Sequence, residues 1–260
     1  MNKHVIISYY KIQRRHIMKL MIIRHGDPNY EIDSLTETGW KEAELTAERI
    51  AQTNVKAFYV SPLGRAQDTA SCTLKKMGRT AKTFDWLREF SPQIDRPDRI
   101  GVKSICWDWL PQDWTKEPLY FNVDTWADTE AMRIGNVKEE YRWVCSSLDE
   151  LLASHGYERE DHYYRVHNAN NDTLVFFCHY GIECVMLSHL LNISPMLLWH
   201  GFVAAPASIT TIRTEERREG IASFRVSAFG DTSHLYAAGR KPSVSARFCE
   251  CFQNRDERHD

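Results

Sequence analysis

Two arginines, two histidines and a glutamate are the residues through which this chain could do chemistry. Arg24 and His25 stand where the apolar run Lys19-Leu20-Met21-Ile22-Ile23 stops, and Gly26 follows them. A second apolar run, Thr173-Leu174-Val175-Phe176-Phe177-Cys178, ends in His179-Tyr180-Gly181. A third stops at Ser61-Pro62-Leu63-Gly64, with Arg65 opening what reads as a helix. A guanidinium beside an imidazole suits an anion such as phosphate, and glycine lets a ligand approach the backbone. A helix start adds free N–H groups and the positive end of a dipole. Arg24-His25-Gly26 alone means no more than a strand end with two solvated cations. With its counterparts it means more. If the three strands are neighbours, Arg24, His25, Arg65 and His179 converge, and a phosphate-like anion relieves their charge. The arginines would also depress the pKa of His25 and leave it neutral and nucleophilic. Glu89, expected at the end of a further strand, is the carboxylic acid that would protonate a leaving oxygen.

The intervening elements follow from periodicity. Thr36 is a predicted N-cap for a helix with Trp40, Ala43, Ala47 and Ile50 on one face. Lys56 to Val60 reads as a strand, and the helix after it carries Ala66, Ala70, Thr73 and Met77 up to a C-capping Gly78. Thr80 to Trp86 is a further strand candidate. Asn136 to Ser154 is a helix with Val137, Tyr141, Val144, Leu148 and Leu151 facing inward, and an apolar helix spans Ile182 to Leu191. Ala207–Arg213 and Ile221–Ala228 alternate as an antiparallel hairpin turning at Arg218-Glu219-Gly220, followed by a polar loop from Phe229 to Leu235. Strands alternating with helices predict a three-layer α/β/α fold with a mostly parallel central sheet. Residues 91–171 are expected to form a helical or irregular insertion over the active site, holding five of the eight tryptophans. These tryptophans read first as packing, and second as an aromatic wall of the pocket. Arg96, Arg99, Lys103 and Arg133 read as solvated cations, or as a holder for a second anionic group. Residues 1–17 read as an extension with Met18 a candidate start, 18–240 as one catalytic domain, and 241–260 as a polar tail.

Composition narrows the function. A chain of 260 residues with net charge −2 carries no footprint for nucleic acid, so phosphate chemistry needs a local cationic cluster. No apolar run reaches the ~18 residues of a membrane span. Seven scattered cysteines suit reduced thiols, and the chain reads as cytoplasmic. Cys178, His179, Cys184 and His189 read as buried thiols and a helix histidine, not as metal ligands.

Arg24-His25-Gly26, Leu35-Thr36-Glu37-Thr38-Gly39, Ser61-Pro62-Leu63-Gly64-Arg65-Ala66, Leu87-Arg88-Glu89 and His179-Tyr180-Gly181 occur in an order that resembles the histidine phosphatase superfamily, in its phosphoglycerate-mutase-like branch. Gly230-Asp231-Thr232-Ser233-His234-Leu235 resembles a C-terminal signature of that branch. The resemblance runs from Met18 to Leu235. It implies that His25 is a nucleophile forming a phosphohistidine. It further implies that Arg24, Arg65 and His179 hold the phosphoryl oxygens, that Glu89 is the general acid, and that no metal or cofactor takes part. Gly26, Tyr180 and His234 are candidate pocket residues. Three departures stand out: a short segment after Gly26, Phe90-Ser91-Pro92 after Glu89, and the long insertion. The missing segment ranks a phosphatase acting on a small phosphorylated substrate above a phosphomutase or phosphotransferase. A non-catalytic phospho-ligand binder ranks below both, and a homodimer stays open.

Overall fold

The computed structural model describes residues 16–96, 98–245 and 251–253. Most of the N-terminal extension, most of the C-terminal tail and Cys249 therefore lie outside the described residues. In chain order the elements are β1 (Lys19–Arg24), a small hairpin of β2 (Pro28–Asn29) and β3 (Ser34–Leu35), α1 (Glu37–Ile50), β4 (Ala57–Val60), α2 (Gly64–Met77) and β5 (Lys82–Thr83). A second hairpin, β6 (Gln93–Asp95) and β7 (Lys103–Ile105), precedes α3 (Pro111–Trp114), α4 (Glu130–Ile134) and α5 (Val137–Ser154). Then come β8 (Tyr157–Glu160), β9 (Tyr163–Val166), β10 (Thr173–Cys178), α6 (Tyr180–Leu191), α7 (Pro195–Gly201), β11 (Ile209–Arg218), β12 (Ile221–Asp231) and α8 (Ser233–Ala237).

The main sheet has eight strands in the order β5-β4-β10-β1-β11-β12-β9-β8. It is mixed. β5, β4, β10 and β1 run parallel, and every pairing from β1 through β11, β12 and β9 to β8 is antiparallel. β10 lies near the middle because all six of its residues are apolar or uncharged and buried, a pattern that suits a strand covered on both faces. Side chains alternate across the sheet. Met21, Ile23, Val175 and Phe177 pack against Ile50, Ala66 and Ala70 of α1 and α2. Leu20, Ile22, Leu174 and Phe176 pack against Val144, Leu148, Ile182 and Val185 of α5 and α6. The result is three layers with the carboxyl ends of β1, β4 and β10 side by side.

The structure departs from periodicity in five places. Trp40 is 37% exposed, because α1 turns Gly39, Glu42 and Thr46 inward with Ala43, Ala47 and Ile50. Tyr141 on α5 is only half-buried, and Cys145 and Leu152 complete that helix's inner face. The strand expected from Thr80 to Trp86 shortens to β5, followed by a 3₁₀ turn at Asp85–Leu87, so Glu89 follows a turn and does not end a strand. The insertion is not only helical or irregular, since β8 and β9 add two strands to the main sheet. The expected loop at Phe229–Leu235 is the end of β12 and the start of α8. Among the described residues no helix is long and apolar enough to cross a membrane.

Candidate active site

β1 delivers Arg24 and His25 to the carboxyl edge of the sheet, where both are almost wholly buried. The His25 backbone is clamped on two sides: its N–H donates to the Cys178 carbonyl and its carbonyl accepts from Ala207, each at 3.0 Å. The ring nitrogen Nδ1 lies 2.7 Å from the Gly26 carbonyl. A carbonyl only accepts, so Nδ1 carries the proton and Nε2 keeps its lone pair. Burial holds the His25 pKa well below the ordinary histidine value, Arg24 lowers it further, the Gly26 carbonyl opposes, and Arg65 adds a smaller push downward. The group is a neutral imidazole with a free basic nitrogen.

His179 caps the start of α6 with no exposed surface, and its ring centroid is 5.2 Å from that of His25. Its Nε2 lies 2.7 Å from Ser61 Oγ, and that oxygen accepts the Leu63 N–H at 3.2 Å. A hydroxyl that accepts from Leu63 keeps its proton to donate to Nε2, and in that tautomer the His179 proton sits on Nδ1. Nδ1 is buried without a protein partner among the described residues. Burial first, then the neighbouring His25, Arg65 and Arg24, hold the His179 pKa well below the ordinary histidine value, so this imidazole is neutral as well.

The arginines come from different elements. Arg24 donates to the Ala204 carbonyl at 2.5 Å and lies 5.8 Å above the Tyr180 ring. Arg65, in the first turn of α2, pairs with Asp33 at 2.5 Å, and its buried Nε has no partner among the described residues. Asp33 also accepts the Gly64 N–H at 2.6 Å. A Cβ on Gly64 would sit 2.0 Å from the Asp33 carbonyl oxygen, so only glycine lets this loop lie on the helix start.

Glu89 reaches the site from the turn after β5. Its Oε1 accepts from its neighbour Phe90 at 2.9 Å and from Ile182, at the start of α6, at 3.2 Å. Burial raises its pKa, with Arg24, the Phe90 N–H, Arg65 and the Ile182 N–H pulling the other way. A carboxyl whose Oε1 takes two backbone donors has Oε2 left to carry a proton. Gly181 makes the approach possible: a Cβ there would meet Oε1 at 2.6 Å and the Trp107 ring at 2.9 Å. Trp107 is fixed by its own indole bond to the Phe90 carbonyl at 2.7 Å.

The five predicted catalytic residues are thus brought together, but the three pocket candidates have other roles. Gly26 serves close packing, because a Cβ there would lie 2.7 Å from the Gly39 carbonyl oxygen where α1 crosses the loop. Tyr180 is buried and its hydroxyl reaches the carbonyls of Leu198, Trp199 and Phe202, leaving its ring to support Arg24. His234 is held by Thr46 and Arg49 of α1, at 3.2 and 3.3 Å. Two of the insertion's cations are engaged locally: Arg96 is buried against Asp98 at 2.5 Å, and Lys103 lies 3.7 Å from Asp95. Sequence reasoning missed Ser61, Asp33 and Tyr30, whose roles depend on contacts with residues far along the chain. It also missed Glu183, a carboxyl on the inner face of α6 that burial pushes up to about 7, with Thr210 and Arg24 opposing and Glu89 reinforcing. Its only local signal is a charge inside an otherwise apolar helix.

A family model described as "Histidine phosphatase superfamily (branch 1)" matches residues 20–227, most of the chain. The chain belongs to the histidine phosphatase superfamily. The fold agrees with solved histidine phosphatase structures. A mycobacterial glucosyl-3-phosphoglycerate phosphatase superposes with a TM-score of 0.54 at 18% identity, over 83% of this chain and 100% of that one. A phosphoserine phosphatase mutant from Entamoeba histolytica, bound to phosphoserine, gives 0.54 at 21% identity over 84% and 99%. A structure described as mycobacterial hydrolase 1 gives 0.55 at 18% identity over 83% and 99%. At such identities these likenesses speak for the fold. No curated protein matches the sequence. By family, this histidine phosphatase is a phosphatase enzyme.

Proposed function

We propose that the protein hydrolyses a phosphomonoester through a phosphohistidine on His25, without a metal. The observation that carries this reading is the tautomer of His25. Nδ1 is committed to the Gly26 carbonyl, Nε2 has no partner among the described residues, and the ring faces His179 at 5.2 Å. Arg24, Arg65 and the Nδ1–H of His179 are the donors for the three phosphoryl oxygens, and their fixed charge and dipoles stabilise the spreading negative charge of the transition state. Nε2 attacks phosphorus as the P–O bond to the alcohol breaks, and Glu89 Oε2 gives its proton to the departing oxygen. Glu89, now a carboxylate, takes a proton from the water that attacks the phosphohistidine. Phosphate leaves and both groups return to their starting states.

The test is a rapid quench with a labelled aryl phosphate. An acid-labile, alkali-stable phosphoryl group on the His25 peptide is expected, with turnover abolished in His25→Ala. Label on another residue, or turnover persisting in the variant, overturns the reading.

A further inference from the structure

Of the five tryptophans of residues 91–171, Trp107, Trp109, Trp114 and Trp126 are buried in the core, and Trp143, 39% exposed, packs against the Arg88 guanidinium. The exposed ring that meets the phosphate-binding groups is Tyr30, at the tip of the hairpin between β2 and β3. It is 62% exposed, and its ring centroid lies 5.5 Å from the Arg65 guanidinium carbon. The tip is anchored. Asp33 binds both Arg65 and the Gly64 N–H, Ser34 donates to Asp68 on α2 at 2.5 Å, and the Asn29 side chain accepts the Glu31 N–H at 3.2 Å. One face of the ring therefore covers a phosphate-binding arginine while much of the side chain stays open to solvent. Ile32, 70% exposed, extends the same surface.

The charges on this tip point the same way. Glu31 and Asp33 flank Ile32, so the loop that borders the phosphate site is acidic. Of the four cations that would have suited a second anion, Arg96 and Lys103 are paired with Asp98 and Asp95 around the β6–β7 hairpin, while Arg99 and Arg133 are exposed.

We propose that Tyr30 is the specificity-determining residue of this site. Its ring is the wall against which the alcohol part of the substrate stacks. The enzyme therefore takes monoesters whose alcohol carries a flat, uncharged group and discriminates against those that carry a second anion. This deepens the phosphatase reading and rests on it.

The experiment compares kcat/KM of the full chain for 2-phenylethyl phosphate, propyl phosphate and 3-phosphoglycerate. The first two release alcohols of similar acidity, so their ratio reports ring recognition and not leaving-group chemistry. A stacked ring predicts a phenylethyl-to-propyl ratio of roughly tenfold, carried mainly in KM. Tyr30→Phe keeps the ratio, Tyr30→Ala brings it close to one, and Asp33→Asn narrows the discrimination against 3-phosphoglycerate. A wild-type ratio near one, or a ratio that survives Tyr30→Ala, overturns the proposal while leaving the phosphatase reading intact. Wild-type protein that hydrolyses no ester above the His25→Ala background overturns the phosphatase reading itself.

Discussion

Replacing Gly181 by alanine tests how the acid is placed. Gly181 lies in the first turn of α6, where alanine would ordinarily favour the helix by at most about 1 kcal/mol. Against that, the new methyl would stand 2.6 Å from Glu89 Oε1 and 2.9 Å from the Trp107 ring. The indole cannot swing aside without losing its bond to the Phe90 carbonyl, and it is packed edge-on against Tyr180 with ring centroids 5.8 Å apart. Overpacking of this kind costs about 1–3 kcal/mol, so the clash outweighs the helix gain by about 1 kcal/mol. A chain of this size should then melt about 2–4 °C lower. Glu89 yields first, and with it the bond to the Ile182 N–H. General acid catalysis contributes ~10²–10⁴ in rate, so kcat/KM for an alkyl phosphate should fall by at least about 100-fold. An aryl phosphate with an acidic phenol needs little proton donation and should lose less than about tenfold. Because kcat/KM reports the steps up to departure of the alcohol, the alkyl-to-aryl ratio isolates the acid from the later water attack. An unchanged ratio together with a raised melting temperature would refute the argument.

Other outcomes follow from the same geometry. The pKa of His25 is depressed, so the acid limb of kcat/KM should lie well below pH 6.5, the ordinary histidine value. The alkaline limb for alkyl esters should follow loss of the proton from Glu89, whose pKa is raised, and should flatten for esters of acidic phenols; a pH series with both substrate types checks this. His25 and His179 are neutral in the fold and protonate more readily when unfolded, so the unfolded chain binds more protons below about pH 6.5 and stability should decline there as pH falls. Glu183 has the opposite sign: its folded pKa of about 7 exceeds the ordinary 4.5, so stability is lost as pH rises between them. Glu183→Gln should remove that slope and melt above wild type at pH 8 by calorimetry. Ser61→Ala leaves His179 Nε2 without its 2.7 Å partner, which should cost about 1–3 kcal/mol in denaturant unfolding and lower kcat/KM by freeing the tautomer.

The sequence by itself determined which residues are placed to do chemistry and the parallel half of the fold. Apolar runs that end abruptly in Arg24-His25 and His179 mark buried strands delivering polar groups to a sheet edge, and both signals are local. Thr36 capping α1 through the Gly39 N–H at 3.1 Å, and Gly78 ending α2 at φ 61°, were legible for the same reason. The tertiary structure alone decided what those residues do for one another. Gly26 reads as room for a ligand until Gly39, from α1, is seen against it. Gly181 reads as a helix-start glycine until Glu89 and Trp107, each more than seventy residues earlier, close on it. β8 and β9 lack the apolar pattern of a buried strand, since each buries a single tyrosine, Tyr157 or Tyr164, among charged and polar residues, and their place depends on β9 pairing with β12 and β8 with β9. Tyr30 carries no local sign of function. Its position over Arg65 exists because Asp33 and Gly64 fasten one loop to the start of another helix, and only folding brings those two segments together.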